Sequence, residues 1–379
     1  MSIKSGDILE LSIEKLTFKG AGIARIDNFV VFVPDSCPGD KVRVKITKLK
    51  STYAESRLIE VITPSQSRIT PPCPYFSECG GCQWQHINYP GQISEKGLFL
   101  EEYFNKHLKV EIERPIFVFP SDKELHYRNR IRLHWDGEIL GYFKRTSHQI
   151  IPISACLIAN EKINLVLSDL RRELCNSHTG HRREADIFVD AMGKAVFNIS
   201  PQNSPAMSFR QVNDFVNSAL INQTKNLISQ NIKNTYDLYC GEGNFAFFLA
   251  KNLTTKIIGV DVNKESIKRA EQKRIPGTAL NLQFVVRDSL KYLCDLKTIP
   301  ADSCFILNPP RSGCAPELII EILRLRPAQI LFISCDPPTL VRDLVALVKV
   351  YDLSSLFAFD MFPQTFHVEC LVSLELRVF

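Results

Sequence analysis

The sequence predicts a multidomain α/β protein: a small N-terminal β-barrel, a central α+β region bearing a cysteine cluster, and a C-terminal Rossmann-like domain. Three observations predict it. At roughly 100–200 residues per domain, 379 residues make two or three domains. Apolar and basic residues alternate in the first part of the chain, whereas beyond about Gln211 short apolar runs alternate with helix-like segments. Between these regions, three of the 12 cysteines fall within ten residues.

Composition narrows the classes. With 45% hydrophobic and 23% charged residues the chain is neither collagen-like nor disordered. It has no run of about 18 apolar residues, so no membrane-spanning helix and no membrane partner is expected. The opening MSIKSGDILELSIEKL lacks the apolar core of a signal peptide, and a cytoplasmic location is expected. In a reducing compartment, abundant cysteine points to metal ligation or catalysis rather than disulfides. The net charge of +5 permits a nucleic-acid partner without requiring one.

The first element, residues 1–62, reads as strands. Val30, Phe32 and KVRVKI have the two-residue period of half-buried strands, with turns at GAGIAR and PGD. From Lys41 to Arg57 six Lys and Arg stand against one Glu, which suits a barrel gripping phosphates. VITPSQSRITPPCP reads as a linker. The second element, 70–200, holds the cysteines and YRNRIRLHW. Five basic residues and interleaved Tyr127, Trp135, Tyr142 and Phe143 lie between His126 and His148, a pattern suited to phosphate contact and base stacking as well as to an ordinary amphipathic sheet. The third element, 205–379, reads as a doubly wound sheet through TYDLY, KIIGVD, FVVRD, CFILN and ILFIS, and ends in two consecutive strands.

In this last element DLYCGEGNF leaves a strand and opens a helix, so Gly241 and Gly243 would admit a ligand close to the backbone. Asp261 closes the next strand, where a carboxylate can hold ribose hydroxyls, and Asp288 follows the third. The missing third glycine of the dinucleotide fingerprint favours S-adenosyl-L-methionine over NAD. Ligands bind beyond the carboxyl ends of such strands. Asn308 of LNPPRSG and Cys335 of ISCDPPTL sit there, and Glu369 of HVEC joins them if the final strand is antiparallel. A thiol, a carboxylate and a methyl donor suit methylation of a pyrimidine at C5, a carbon that becomes nucleophilic once a thiolate has added at C6.

CPYFSECGGC supplies Cys73, Cys79 and Cys82, with Cys156 the nearest fourth ligand. Four thiolates suit tetrahedral zinc or an iron–sulfur cluster, and spacing does not separate them.

With these motifs assembled, the chain resembles the RNA uracil-5 methyltransferase family over essentially its whole length, in particular the iron–sulfur branch acting on 23S ribosomal RNA. The resemblance implies a TRAM (OB-like) RNA-binding barrel at the N-terminus, a 4Fe–4S cluster on Cys73, Cys79, Cys82 and Cys156, and a class I methyltransferase domain. It assigns donor contacts to Gln211 of FRQVN and to Tyr239 and Asn244 of DLYCGEGNF, followed by Asp261 and Asp288. It makes Cys335 of SCDPPTLVRDL the nucleophile and Glu369 of HVECLVSL the base for the C5 proton. RNA is the implied partner of a monomeric enzyme.

One position departs from the pattern. The family usually carries Asp where this chain has Asn308; an amide oxygen still accepts the uracil N3 proton, whereas a flipped amide would donate to cytosine N3. That departure makes a cytosine target one alternative; the others are a uridine of the tRNA T-loop, an exocyclic-amine methyltransferase sharing the Asn-Pro-Pro motif, and a non-catalytic metal-bearing RNA-binding protein.

Overall fold

The computed structural model describes residues 3–110, 112, 115–176, 182–203, 210–274 and 280–377. The chain divides into two compact units: Met1–Phe99, Asp122–Ala206 and Phe362–Phe366 form the first, and Leu100–Ser121, Met207–Met361 and His367–Phe379 the second.

The first unit contains two sheets. One has six strands in the order Ile8–Ser12, Lys41–Leu49, Tyr53–Thr63, Phe29–Val33, Gly22–Ile26, Lys15–Leu16. Alternate residues Val42, Val44 and Ile46 point inward with Val31, Val33 and Ala54, as the two-residue period predicts. The basic face is less basic than its segment suggested. Register brings Glu10 and Glu60 from the flanking strands onto Arg43, and both bond its guanidinium. Lys45, Lys50 and Arg57 carry no ion pair among the described residues.

The second sheet runs Ile150–Pro152, Leu140–Phe143, Arg130–Trp135, Arg183–Val189, Ala195–Pro201 and is backed by the helices Glu161–Leu165 and Leu167–Asn176. Here YRNRIR becomes an ion-pair ladder. Asp186, opposite Arg132 in register, accepts from Arg132 at 2.6 Å and Arg130 at 3.2 Å, and Glu184 accepts from Arg132 at 2.8 Å. Of the interleaved aromatics, Tyr127 and Trp135 are core residues, and Phe143 stacks on His134 with centroids 3.9 Å apart.

The second unit is the Rossmann-like sheet, in the order Leu282–Val286, Lys256–Asp261, Asn234–Leu238, Ser303–Leu307, Gln329–Ser334, Glu369–Leu376, Tyr351–Phe359, Val118–Phe119. The first five are parallel. Glu369–Leu376 runs antiparallel to Gln329–Ser334, so it begins where the parallel strands end. Cys370 stands opposite Ser334, which sets Glu369 beside Cys335 at one sheet edge. Helices between the strands start on side-chain caps: Asn263 accepts from the Glu265 and Ser266 N–H groups, and Asp336 from Thr339. No described helix is long and apolar enough to cross a membrane.

Candidate active site

The glycine loop follows the strand Asn234–Leu238. Gly241 and Gly243 have φ of +55° and +82°, values open to glycine at little cost. A Cβ on Gly243 would approach Phe247 and Phe284 at 2.8 Å, whereas one on Gly241 would meet nothing within 4 Å. Gly243 therefore serves the turn, and Gly241 borders open space. Asp261 fixes the loop: one carboxylate oxygen accepts from Gly241 N at 2.8 Å, the other from Asn263 N at 2.7 Å. Tyr239 has φ +68°, its hydroxyl bonds the Cys314 thiol, and burial holds its pKa above the usual range, with Cys314 and Asp288 adding to the effect. Asp288 caps the helix Ser289–Asp295, accepting from Lys291 N at 3.1 Å. Gln211 is buried.

Asn244 opens the helix that follows the loop. Its exposed amide exchanges two hydrogen bonds with Asn217, at 3.0 and 3.1 Å, and so points toward the helix Asp214–Leu227. Local spacing carries no trace of that pairing.

Asn308 follows directly on the strand Ser303–Leu307, its N–H reaching Leu238 O at 3.5 Å. The loop behind it is clamped from the helix Pro337–Leu347. Asp343, buried, accepts from Cys314 N at 2.8 Å, Arg342 binds the Ser312 carbonyl at 2.9 Å, and the Thr339 hydroxyl donates to Arg311 O at 3.2 Å. The Arg311 side chain from this loop stands near enough to Cys335 to favour its thiolate. Burial pushes the thiol up to about 11, Glu369 adds to the rise, and Arg311 opposes it. Glu369, 3% exposed, is pushed up to about 8 by burial, again against Arg311. Thiol, carboxyl and guanidinium therefore share one electrostatic neighbourhood. Arg311 was legible in the NPPR motif as a residue but not as a partner of the thiol. Nothing in the sequence marked Arg342 and Asp343.

In the first unit Cys73, Cys79, Cys82 and Cys156 line one cavity of ≈ 140 Å³ with Gln85 and Tyr142. Burial raises the Cys73, Cys79 and Cys82 thiols, Cys82 to about 12, and each is raised further by Cys156. The Arg145 guanidinium holds the loop through the carbonyls of Phe76, Cys79 and Cys82 at 2.8–3.1 Å. Among the described residues no three His, Cys, Asp or Glu side chains are grouped so as to hold a metal ion.

Comparison with known proteins decides the family. A model described as tRNA (uracil-5-)-methyltransferase matches residues 192–377, and a TRAM domain model matches residues 4–59. An uncharacterized RNA methyltransferase of Bdellovibrio bacteriovorus is 33% identical over 98% of this chain and 96% of its own length. The chain belongs to the RNA uracil-5 methyltransferase family. It is an RNA methyltransferase, with a TRAM domain ahead of a class I methyltransferase fold. A second uncharacterized RNA methyltransferase, from Synechocystis, is 28% identical over 98% of this chain and 96% of its own length. The solved Pyrococcus abyssi tRNA (uracil-54, C5)-methyltransferase in complex with S-adenosyl-L-homocysteine shares the fold, with a TM-score of 0.73 and 22% identity over 97% of this chain and 100% of its own.

Proposed function

We propose that this enzyme, cytoplasmic and monomeric, transfers a methyl group from S-adenosyl-L-methionine to C5 of a uridine in 23S ribosomal RNA through a covalent Cys335–C6 adduct. The observation that carries the reading is the meeting of Cys335, Glu369 and Arg311 at the carboxyl edge of the sheet. When bound, S-adenosyl-L-methionine supplies an electrophilic methyl group. Gln211, Tyr239, Gly241, Gly243, Asp261 and Asp288 would hold it, with Asn244 at the start of the helix beyond the loop. Arg311 favours the thiolate of Cys335, whose proton passes to solvent; the sulfur then bonds to C6 as the C5–C6 π bond opens toward C5. C5, now electron-rich, would take the donor's methyl carbon as the methyl–sulfonium bond breaks, leaving S-adenosyl-L-homocysteine. Glu369 then removes the C5 proton, the C6–S bond breaks, and the thiolate departs as the C5–C6 double bond returns. Asn308 accepts the uracil N3–H. The reading keeps the domain limits 1–62, 70–200 and 205–379.

Cys73, Cys79, Cys82 and Cys156 line one cavity and would hold a 4Fe–4S cluster, since a multivalent cationic group is what lets neighbouring thiols ionise together. The proposed chemistry transfers no electrons, so the cluster's role is to hold its loop and the RNA-facing sheet. Anaerobic purification should yield iron and labile sulfide in equal amounts, lost in Cys82→Ala; zinc alone would overturn the assignment.

The deciding experiment is methyl transfer from tritiated donor to total RNA from a deletion strain, followed by mapping. Expected is 5-methyluridine in 23S ribosomal RNA, absent with Cys335→Ala. Labelled tRNA T-loop uridine, or 5-methylcytosine, would overturn the substrate. Transfer by Cys335→Ala would overturn covalent catalysis.

A further inference from the structure

Between the strands Tyr351–Phe359 and Glu369–Leu376 the chain leaves the second unit, and Phe362–Phe366 belongs to the first. That excursion is anchored far more heavily than a connection requires. Gln364 is 4% exposed and has φ +69°, a strained value for a residue with a Cβ. Its N–H donates to Gln92 Oε1 at 2.8 Å, and its carbonyl accepts from Gln83 N and Trp84 N at 3.1 and 3.0 Å. Its side-chain oxygen accepts from Gln92 Nε2 at 3.0 Å. Gln92, fully buried, also donates to the carbonyls of Trp84 and Ile87. The neighbouring carbonyl of Pro363 accepts from the Tyr127 hydroxyl at 3.1 Å, and that of Phe362 from Lys96 at 3.4 Å. Two of these anchors neighbour the cysteines: Gln83 follows Cys82 directly, and Tyr127 packs in one hydrophobic cluster with Cys82, against which Cys73 and Cys156 also pack.

Glu369 lies five residues beyond Gln364. We propose that Gln92 and Gln364 are positioning residues that fix the chain leading into Glu369. Burying so many polar groups is tolerated because each finds a partner, and removing one glutamine leaves several unsatisfied together. A side chain that must meet a C5 proton tolerates little displacement, and the cost should fall on the step it performs. The inference rests on Glu369 acting as the base in the proposed reaction.

Displacing the base lets the thiolate add and the methyl group transfer but slows elimination, so methylated RNA stays bonded to Cys335. The test uses the full-length enzyme, tritiated donor and RNA from a deletion strain, with denaturing gels to count covalent adduct. Gln92→Met should lower turnover about tenfold and raise the trapped fraction several-fold, with donor binding unchanged. Gln364→Met, which keeps the main-chain bonds, should do both more weakly and serves if Gln92→Met fails to fold. Glu369→Gln is the reference and should trap most. Slowed or unchanged turnover without trapping in the folded glutamine variants, while Glu369→Gln traps, overturns the positioning role. No trapping in Glu369→Gln overturns the base itself.

Discussion

Cys335 and the four cavity-lining cysteines of the first unit are at least half-shielded thiols of one protein, but their neighbours differ. Around Cys73, Cys79 and Cys82 the nearest thiols raise one another, and Arg145, engaged with three carbonyls, relieves Cys79 least of all its influences. Around Cys335 stands the Arg311 guanidinium, on a loop that Thr339, Arg342 and Asp343 tie to the helix Pro337–Leu347. The first set is flanked chiefly by other thiols; the second has a cation beside it. Burial alone therefore does not say what a cysteine is for. The charge placed beside it does.

The largest effect that would break this contrast is a shared phenotype. Cys335→Ala should lower methyl transfer by on the order of 10³-fold or more and abolish trapping by 5-fluorouridine RNA. Folded Cys82→Ala should lose metal yet still form that adduct. Equal loss of adduct in both, measured on denaturing gels with folded protein, would erase the distinction. Next in size is Arg311→Met. Without the guanidinium the thiol rises further, and a rise of about one pKa unit costs about tenfold in thiolate at neutral pH. The rate of adduct formation against pH should shift to the alkaline side; an unshifted profile would show that Arg311 does not tune the sulfur.

Glu369 sharpens the same point through stability. Its folded pKa of about 8 lies above that of an ordinary carboxyl, so the fold favours the protonated form. The stabilisation is fully present below the unfolded pKa and is lost as pH rises through about 8. Glu369→Gln should therefore match the parent near the unfolded pKa and melt several degrees higher in alkaline buffer. Equal melting temperatures across that window would mean the carboxyl is better solvated than its burial indicates. A buried carboxyl costs stability at the pH where it ionises.

Much of this site was legible because each motif is local. Cys335 and Glu369 stand beside recognisable strand ends, and Gly241, Gly243 and Asp261 lie on one strand–turn–helix unit and its neighbour. What escaped is pairing across the sequence. Asn244 binds Asn217, Asp186 neutralises Arg130 and Arg132, and Asp343 reaches back to the Cys314 amide. The excursion of Phe362–Phe366 into the first unit is of the same kind, since it interrupts two strands that read as neighbours. Hydrogen-bond partners fixed by register and packing leave no spacing signal.

The smallest expected effect carries the comparison onto the barrel, where basic residues also divide by whether a partner is built in. Arg43 is bonded by Glu10 and Glu60, whereas Lys45, two positions along the same strand, carries no ion pair among the described residues. A cation already paired releases few counterions when a phosphate arrives, because its acidic partners must first be displaced. Lys45→Ala should thus lower the slope of log affinity against log salt by about 1 and weaken RNA binding only modestly. Arg43→Ala should change the slope less, since it also frees Glu10 and Glu60 to repel phosphate without removing a free cation. Binding isotherms at several salt concentrations separate the two. A larger slope change from Arg43 would mean that RNA strips the ion pairs from this face, and that the basic count along the strand is the better guide after all.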